Sequence, residues 1–290
     1  MNILQHNSFV LSTHMHPDGD GLGSILALMA FLEERGKTVT CVLPDPVPGR
    51  YGFLGLQAQY EPQRCDCWIV LDTADPKRLG ALYAEQKALA TSIVWIDHHE
   101  GSGSSASSVA EVLYEHFFDG TVLSPKAALG LYVSLVTDTQ SFQKQETTAL
   151  AHGIASKITM TGFVNPAWVH QNIYASRSLH TLHLFAKVLA RTKMDNALAW
   201  SELRLSDKAP MDETLFFLDE IFMLQNATIA CLFREQQDGY RVTLRSRGKG
   251  LVHLAQEYGG GGHQNACGFF IAKRGKKSIN EVLTRLKALL

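Results

Sequence analysis

Four short apolar runs, rich in β-branched residues and too short for helices, constrain this chain more than any other feature. Phe9 to Thr13 is followed at once by His14-Met15-His16-Pro17-Asp18-Gly19-Asp20. Val39 to Leu43 ends in Pro44-Asp45-Pro46, Trp68 to Leu71 stops at Asp72, and Ile93 to Ile96 stops at Asp97. Between the runs lie segments with helical patterning, Ser24 to Arg35 (stopped by Gly36) and Pro76 to Leu89. Strands that alternate with helices predict a parallel sheet of βαβ units. Strands that are apolar along their whole length predict a sheet covered on both faces. The stretch His14 to Gly23, with one proline and three glycines, is expected to be a loop.

Pro125 to Val136 reads as a helix that delivers Thr137-Asp138-Thr139, and helical patterning dominates from Thr147 to about Lys193. Gly101 to Ser108 (GSGSSASS) reads as a flexible loop. The pattern then changes. Ala197 to Leu205, Thr228 to Arg234, Tyr240 to Ser246 and Gly268 to Lys273 read as strands, with a hairpin turn at Asp238-Gly239. Leu251 to Tyr258 and the segment from Ser278 read as helices. The expected division is an N-terminal parallel-sheet α/β domain over 1–178, a linking helix over 179–194, and a smaller α/β domain over 195–290. A length of 290 residues suits two such domains.

Composition narrows the classes. With 46 % hydrophobic and 19 % charged residues, disorder is excluded as the main state. The 27 basic and 28 acidic side chains give a net charge of −1, which argues against binding long duplex DNA. Five scattered cysteines form no disulfide framework, and Cys65-x-Cys67 has no second pair to complete a zinc site. The first residues lack a basic region followed by a long apolar stretch, and no run reaches the ~18 apolar residues of a membrane span. These features predict a cytoplasmic chain with no membrane partner.

In open α/β sheets ligands bind beyond the carboxyl ends of the strands. His14, Asp18, Asp20, Asp72, Asp97, His98 and His99 all follow strands, and Asp138 follows a helix able to reach the same edge. So many carboxylates in one place would repel one another unless cations neutralised them. Mixed carboxylate and imidazole donors suit Mn²⁺, with Mg²⁺, Fe²⁺ or Co²⁺ as alternatives. Taken singly, Asp18 and Asp20 suit a turn around Gly19, and Asp72 and Asp97 suit helix caps. His16 fits no ligand spacing and is read as a bystander.

These strings, His14-x-x-x-Asp18-x-Asp20 with Gly23-Ser24, Leu71-Asp72-Thr73, Asp97-His98-His99 and Thr137-Asp138-Thr139, resemble the four motifs of the DHH phosphoesterase superfamily. Gly259-Gly260-Gly261-Gly262-His263, with Ala266 and Gly268 and preceded by Leu244-Arg245-Ser246, resembles that superfamily's DHHA1 domain. The size resembles its oligoribonuclease and pAp phosphatase branch more than its long exonucleases. The resemblance implies two Mn²⁺ ions: His14 and Asp18 on one, Asp20, His98 and Asp138 on the other, and Asp72 bridging. It implies that Asp97 orients a neighbouring ligating histidine and that His99 faces the substrate phosphate.

The glycine run is expected to be a loop whose N–H groups face an anion, since glycine lets backbone approach closely. Arg245 would hold a phosphate by paired hydrogen bonds, with Ser246, Gly260, Gly261, Gly262 and His263 completing nucleotide binding. Arg247, Lys249, Lys273, Arg274, Lys276 and Lys277 make this half locally basic. The implied activity is hydrolysis of very short oligonucleotides, such as pGpG or pApA, or of pAp. An inorganic pyrophosphatase or polyphosphatase and a non-catalytic nucleotide sensor are the competing readings. Monomer and homodimer both stay open.

Overall fold

The computed structural model describes residues 3–99, 103–209, 216–248 and 250–290, and of His263 the backbone alone. The chain divides into two compact units, Met1–Ser176 and Arg177–Leu290.

In the first unit, strands β1 (Ser8–Ser12), β2 (Thr38–Val42), β3 (Ala58–Gln59), β4 (Cys65–Leu71) and β5 (Ala90–Ile96) form a wholly parallel sheet in the order β3-β2-β1-β4-β5. The order reverses direction between β1 and β4, the switch point where such sheets open a crevice at their carboxyl ends. Alternation along the strands serves two cores. Phe9, Leu11, Cys67, Ile69 and Leu71 join the larger core, under helices α1 (Gly19–Glu33) and α4 (Pro125–Asp138). Val10, Trp68 and Val70 face the other side, with Leu79 and with Leu82 of α2 (Leu82–Lys87). Helices α3 (Val109–Leu113), α5 (Ala149–Met160) and α6 (Pro166–Tyr174) complete the unit.

The segment expected to be a loop through Gly23 is helical from Gly19. Its glycines serve close packing rather than a turn: a Cβ on Gly23 would lie 2.5 Å from the Gly130 carbonyl oxygen of α4, and one on Gly21 would lie 2.2 Å from Thr13 Oγ1. Asp18 caps this helix, its Oδ1 accepting from the amides of Asp20 at 3.0 Å and Gly21 at 3.3 Å. The helix expected over Pro76 to Leu89 is instead a 3₁₀ turn, Pro76–Leu79, and the short α2, broken by Gly80 with φ +58°. The serine-rich loop is anchored at its end, where Ser107 and Ser108 are buried; Gly101 and Ser102 lie outside the described residues.

The second unit begins with α7 (Leu179–Arg191). Strands β6 (Lys193–Asp195), β7 (Leu198–Leu203), β8 (Ile229–Glu235), β9 (Tyr240–Ser246), β10 (Gly261–His263) and β11 (Ala266–Ile271) form one mixed sheet, ordered β10-β11-β9-β8-β7-β6. Only the β7–β8 pair among them is parallel. One face packs on α7 and on α8 (Phe217–Phe222), through Leu184, Val188, Phe217 and Ile221; the linking helix of the sequence reading thus shares this unit's core. The other face packs on α9 (Val252–Glu257) and α10 (Lys276–Lys287), through Leu254, Ile279 and Val282.

Candidate metal centre

The carboxyl ends of β1, β4 and β5 and the end of α4 bring the predicted acidic and imidazole groups together. Among the described residues, three sets of donor atoms lie within 4.8 Å of one another: His14, Asp18 and Asp72; Asp20, His98 and Asp138; and Asp72, His98 and His99. Asp72 and His98 are each shared between two sets. His16 stays apart, its side chain 90 % exposed and 3.6 Å from Asp45.

Each group is held in place. Asp72 continues β4, its amide donating to the Ile96 carbonyl at 3.0 Å, yet its φ is +64°. The left-handed conformation costs a non-glycine residue about 1–2 kcal/mol, and it turns this side chain out of the strand's alternation. His14 Nδ1 donates to the Met15 carbonyl at 2.7 Å, which directs Nε2 toward Asp72 Oδ2 at 3.2 Å. Asp20 is 1 % exposed and accepts from the Val109 amide at 3.1 Å and from Ser134 Oγ. Asp138 ends α4, and its Oδ1 pairs with Lys144 Nζ at 2.6 Å. Three consecutive non-glycine residues with positive φ, Gln140, Ser141 and Phe142, fold the chain back to place that lysine.

His98 supplies the clearest sign of a cation site. Its Nε2 is buried with carboxylate oxygens of Asp138, Asp20 and Asp72 at 3.1, 3.3 and 3.7 Å, and none of them lies in hydrogen-bond geometry. A buried nitrogen ringed by carboxylates but bonded to none suits a shared cation. The donors are oxygen and imidazole nitrogen, with no thiolate among them, as Mn²⁺ or Mg²⁺ requires.

The metal-free electrostatics are correspondingly uneven. Burial, reinforced by the Asp72 charge, pushes Asp18 up to about 6. Burial and Asp72 push Asp20 up to about 7, against the opposing pull of His98. Burial would also raise Asp72, but the imidazoles of His14 and His98 outweigh it and hold Asp72 below the usual carboxylate range. Burial would lower His98, yet the carboxylates of Asp20 and Asp72 drive it up to about 11.

Asp97 orients one of its two neighbouring histidines. Its Oδ1 meets His99 Nδ1 at 2.6 Å, whereas the Nδ1 of His98 faces the Ala106 carbonyl at 3.3 Å. Asp97 thus orients His99, and a backbone carbonyl orients His98. Sequence reasoning missed Ser134, Lys144 and Arg78, whose Nη1 donates to the Asp72 carbonyl at 3.4 Å. Their sequence positions carry no signal.

The second unit departs from expectation at the glycine run. Gly261 and Gly262 are not in a loop: with His263 they form β10, the edge strand paired with β11. Gly262, at φ +133°, takes a conformation closed to L side chains, and a Cβ there would lie 2.5 Å from the Ala266 carbonyl oxygen. Gly260 approaches the Gly268 carbonyl oxygen in the same way. Arg245, on β9, has one edge of its guanidinium committed, Nε donating to Asp219 Oδ1 at 2.9 Å, with the side chain 26 % exposed. Ser246 is buried and donates through Oγ to Asn265 Oδ1 at 3.1 Å, tying β9 to the β10–β11 turn. The side chain of His263 lies outside the described residues, as does Lys249. Of the basic residues, Arg274 pairs with Glu235, and Arg247 donates to the Phe222 carbonyl.

The profile of the DHH family, N-terminal domain, matches residues 8–157, a span that contains every member of the acidic cluster. The chain belongs to the DHH family. A DHHA1 domain follows over residues 197–290. The bifunctional oligoribonuclease and PAP phosphatase NrnA of Bacillus subtilis is 26 % identical over 284 residues, 91 % of this chain and 89 % of that protein. The crystal structure of an exopolyphosphatase-related protein from Bacteroides fragilis superposes with a TM-score of 0.86 at 22 % identity, covering 98 % of this chain and 93 % of that one. Thermus thermophilus RecJ in complex with Mn²⁺ shares the fold at a TM-score of 0.51 and 15 % identity, over 98 % of this chain and 52 % of that one. Among the described residues no helix is long and apolar enough to cross a membrane.

Proposed function

We propose that this DHH-family phosphoesterase hydrolyses very short oligonucleotides, linear dinucleotides such as pGpG or pApA, to mononucleotides in a Mn²⁺-dependent reaction, with 3′-phosphate release from pAp-like nucleotides as the nearest variant. The observation that carries this reading is the sharing of Asp72 and His98 among three donor sets, which suits a pair of cations better than one. His14 and Asp18 would hold one, Asp20, His98 and Asp138 the other, and Asp72 both. The likeness to NrnA, over nearly the whole of both chains, supports the substrate class.

When bound there, two such cations would supply charge neutralisation at the phosphoryl oxygens and would acidify the attacking water. The chain's own residues prepare the rest. Met15 and Ala106 carbonyls fix the ring orientations of His14 and His98. Asp97 fixes His99, which would face the substrate phosphate. In the second unit, Arg245 and the outer edge of β10 bind the nucleotide, the guanidinium by charged hydrogen bonds.

A turnover assay with Mn²⁺ on a linear dinucleotide, pAp, pyrophosphate and a 10-mer tests the proposal. The chain is near neutral, so longer strands gain little from added phosphates. The dinucleotide is expected to turn over faster than the 10-mer, and pyrophosphate slowest. Pyrophosphate as the best substrate, or equal rates on dinucleotide and 10-mer, would overturn it.

A further inference from the structure

The strap Gly103–Ser108 between the histidine pair and α3, and the first residue of α3, each touch the cluster once. The Ala106 carbonyl faces His98 Nδ1 at 3.3 Å, and just beyond the strap the Val109 amide donates to both oxygens of Asp20 at 3.1 and 3.2 Å. Both groups belong to one donor set, that of Asp20, His98 and Asp138. The strap is not packed solidly from behind: Ser104, Ser105 and Ala106 line a cleft of about 540 Å³ that also borders Asp97.

Hydrogen bonds hold the strap instead, and they converge on one side chain. Glu111, on α3, is 1 % exposed. Its Oε1 accepts from the Ser107 amide at 2.7 Å and from Ser107 Oγ, and its Oε2 accepts from Thr148 Oγ1 at 2.5 Å. Thr148 in turn caps α5. Glu111 therefore pins the strap on one side and joins it to a second helix on the other.

We infer that Glu111 is a positioning residue for one cation and not for its neighbour: through the strap it sets His98 and, through the start of α3, Asp20, whereas His14 and Asp18 are set by β1 and α1. This inference rests on the two-cation reading above. Disturbing the support of a metal ligand commonly lowers affinity or activity about 10- to 100-fold. Replacing Glu111 by Gln keeps the shape but exchanges one acceptor for a donor.

The test is Mn²⁺ titration of the metal-free wild type and of Glu111→Gln, followed by calorimetry and electron paramagnetic resonance, with kcat and KM for a dinucleotide alongside. The expected result is two sites in the wild type and about 10- to 100-fold weakening of one of them in the variant. The other site should stay within about twofold, with kcat reduced, KM little changed and activity recovered at high Mn²⁺. Ser107→Ala, which keeps the hydrogen bond from the residue 107 amide to Glu111 Oε1, should weaken the same site less; it carries the test should Glu111→Gln not fold. Two sites unchanged in both variants would overturn the inference and leave the two-cation reading intact, and so would equal weakening of both sites. A wild type that binds fewer than two ions would overturn both.

Discussion

Of the groups proposed to act on a substrate, the most deeply sunk belong to the first unit, whereas Arg245 of the second is partly exposed. Asp20, Asp72 and His14 are 1, 2 and 5 % exposed, at the switch point of a parallel sheet and locked by backbone carbonyls, amides and serine hydroxyls. Arg245 is a quarter exposed on β9, and Gly261 and Gly262, on the far side of β11, belong to the edge strand. Buried like charges are costly unless a cation neutralises them. The first unit should therefore depend on metal for activity and for stability, and tolerate little change. A partly exposed arginine that already has a carboxylate partner should affect binding alone, and moderately.

The sharpest way to break that contrast is Asp72→Ala. Losing a carboxylate shared by two donor sets should remove several kcal/mol of charge stabilisation, about 1000-fold or more in kcat, and lower bound metal. Steady-state kinetics and elemental analysis check both. Near-normal turnover would mean that Asp72 is merely a structural residue at a strained strand end.

A second, intermediate effect concerns pH in chelator. Folded Asp18 and Asp20 titrate near about 6 and 7, above their unfolded value of 3.8, so the stability they give is full below about pH 4 and is lost as pH rises through 6 and 7. His98, raised from 6.5 to about 11, acts in the same direction: its contribution is full below pH 6.5 and fades toward 11. Asp72 acts oppositely, but its contribution is already complete above about pH 4. The metal-free first unit should lose stability from pH 5 to 8, and the second should not share that trend. Hydrogen exchange at β1 and β4 against β8 and β9 separates the two, and saturating Mn²⁺ should flatten the first unit's slope.

Arg245→Ala is the smallest of the three. One charged hydrogen-bonding group contributes about 1.5 kcal/mol, so kcat/KM for a dinucleotide should fall about 10-fold, mainly through KM, with bound metal unchanged. A fall matching that of Asp72→Ala would erase the distinction between the units.

The same contrast explains what could be read from the chain. Asp72, Asp97, His98 and His99 were legible because each directly follows an apolar run, and a parallel sheet sends such residues to one edge. The start of α1 was not, because glycines at 19, 21 and 23 signal a turn locally, whereas here they let α1 approach Thr13 and α4. The glycine run before β11 misled for the converse reason: close pairing of Gly261 with Gly268 and of Gly262 with Cys267 makes its second half a strand. Ser134 reaches Asp20 only through packing over a long sequence separation, and Lys144 reaches Asp138 only because the residues between them turn the chain back with positive φ. Glu111 left a faint trace, the helix-start spacing Ser108-x-x-Glu111, though its carboxylate reaches Ser107 and Thr148.

The central claim is that two cations share Asp72 between the His14–Asp18 and Asp20–His98–Asp138 groups. Anomalous diffraction at the manganese edge from crystals grown with Mn²⁺ tests it most directly. Two peaks about 4 Å apart, both within bonding distance of Asp72, are predicted. A single peak, or two peaks with Asp72 bound to neither, would contradict the account.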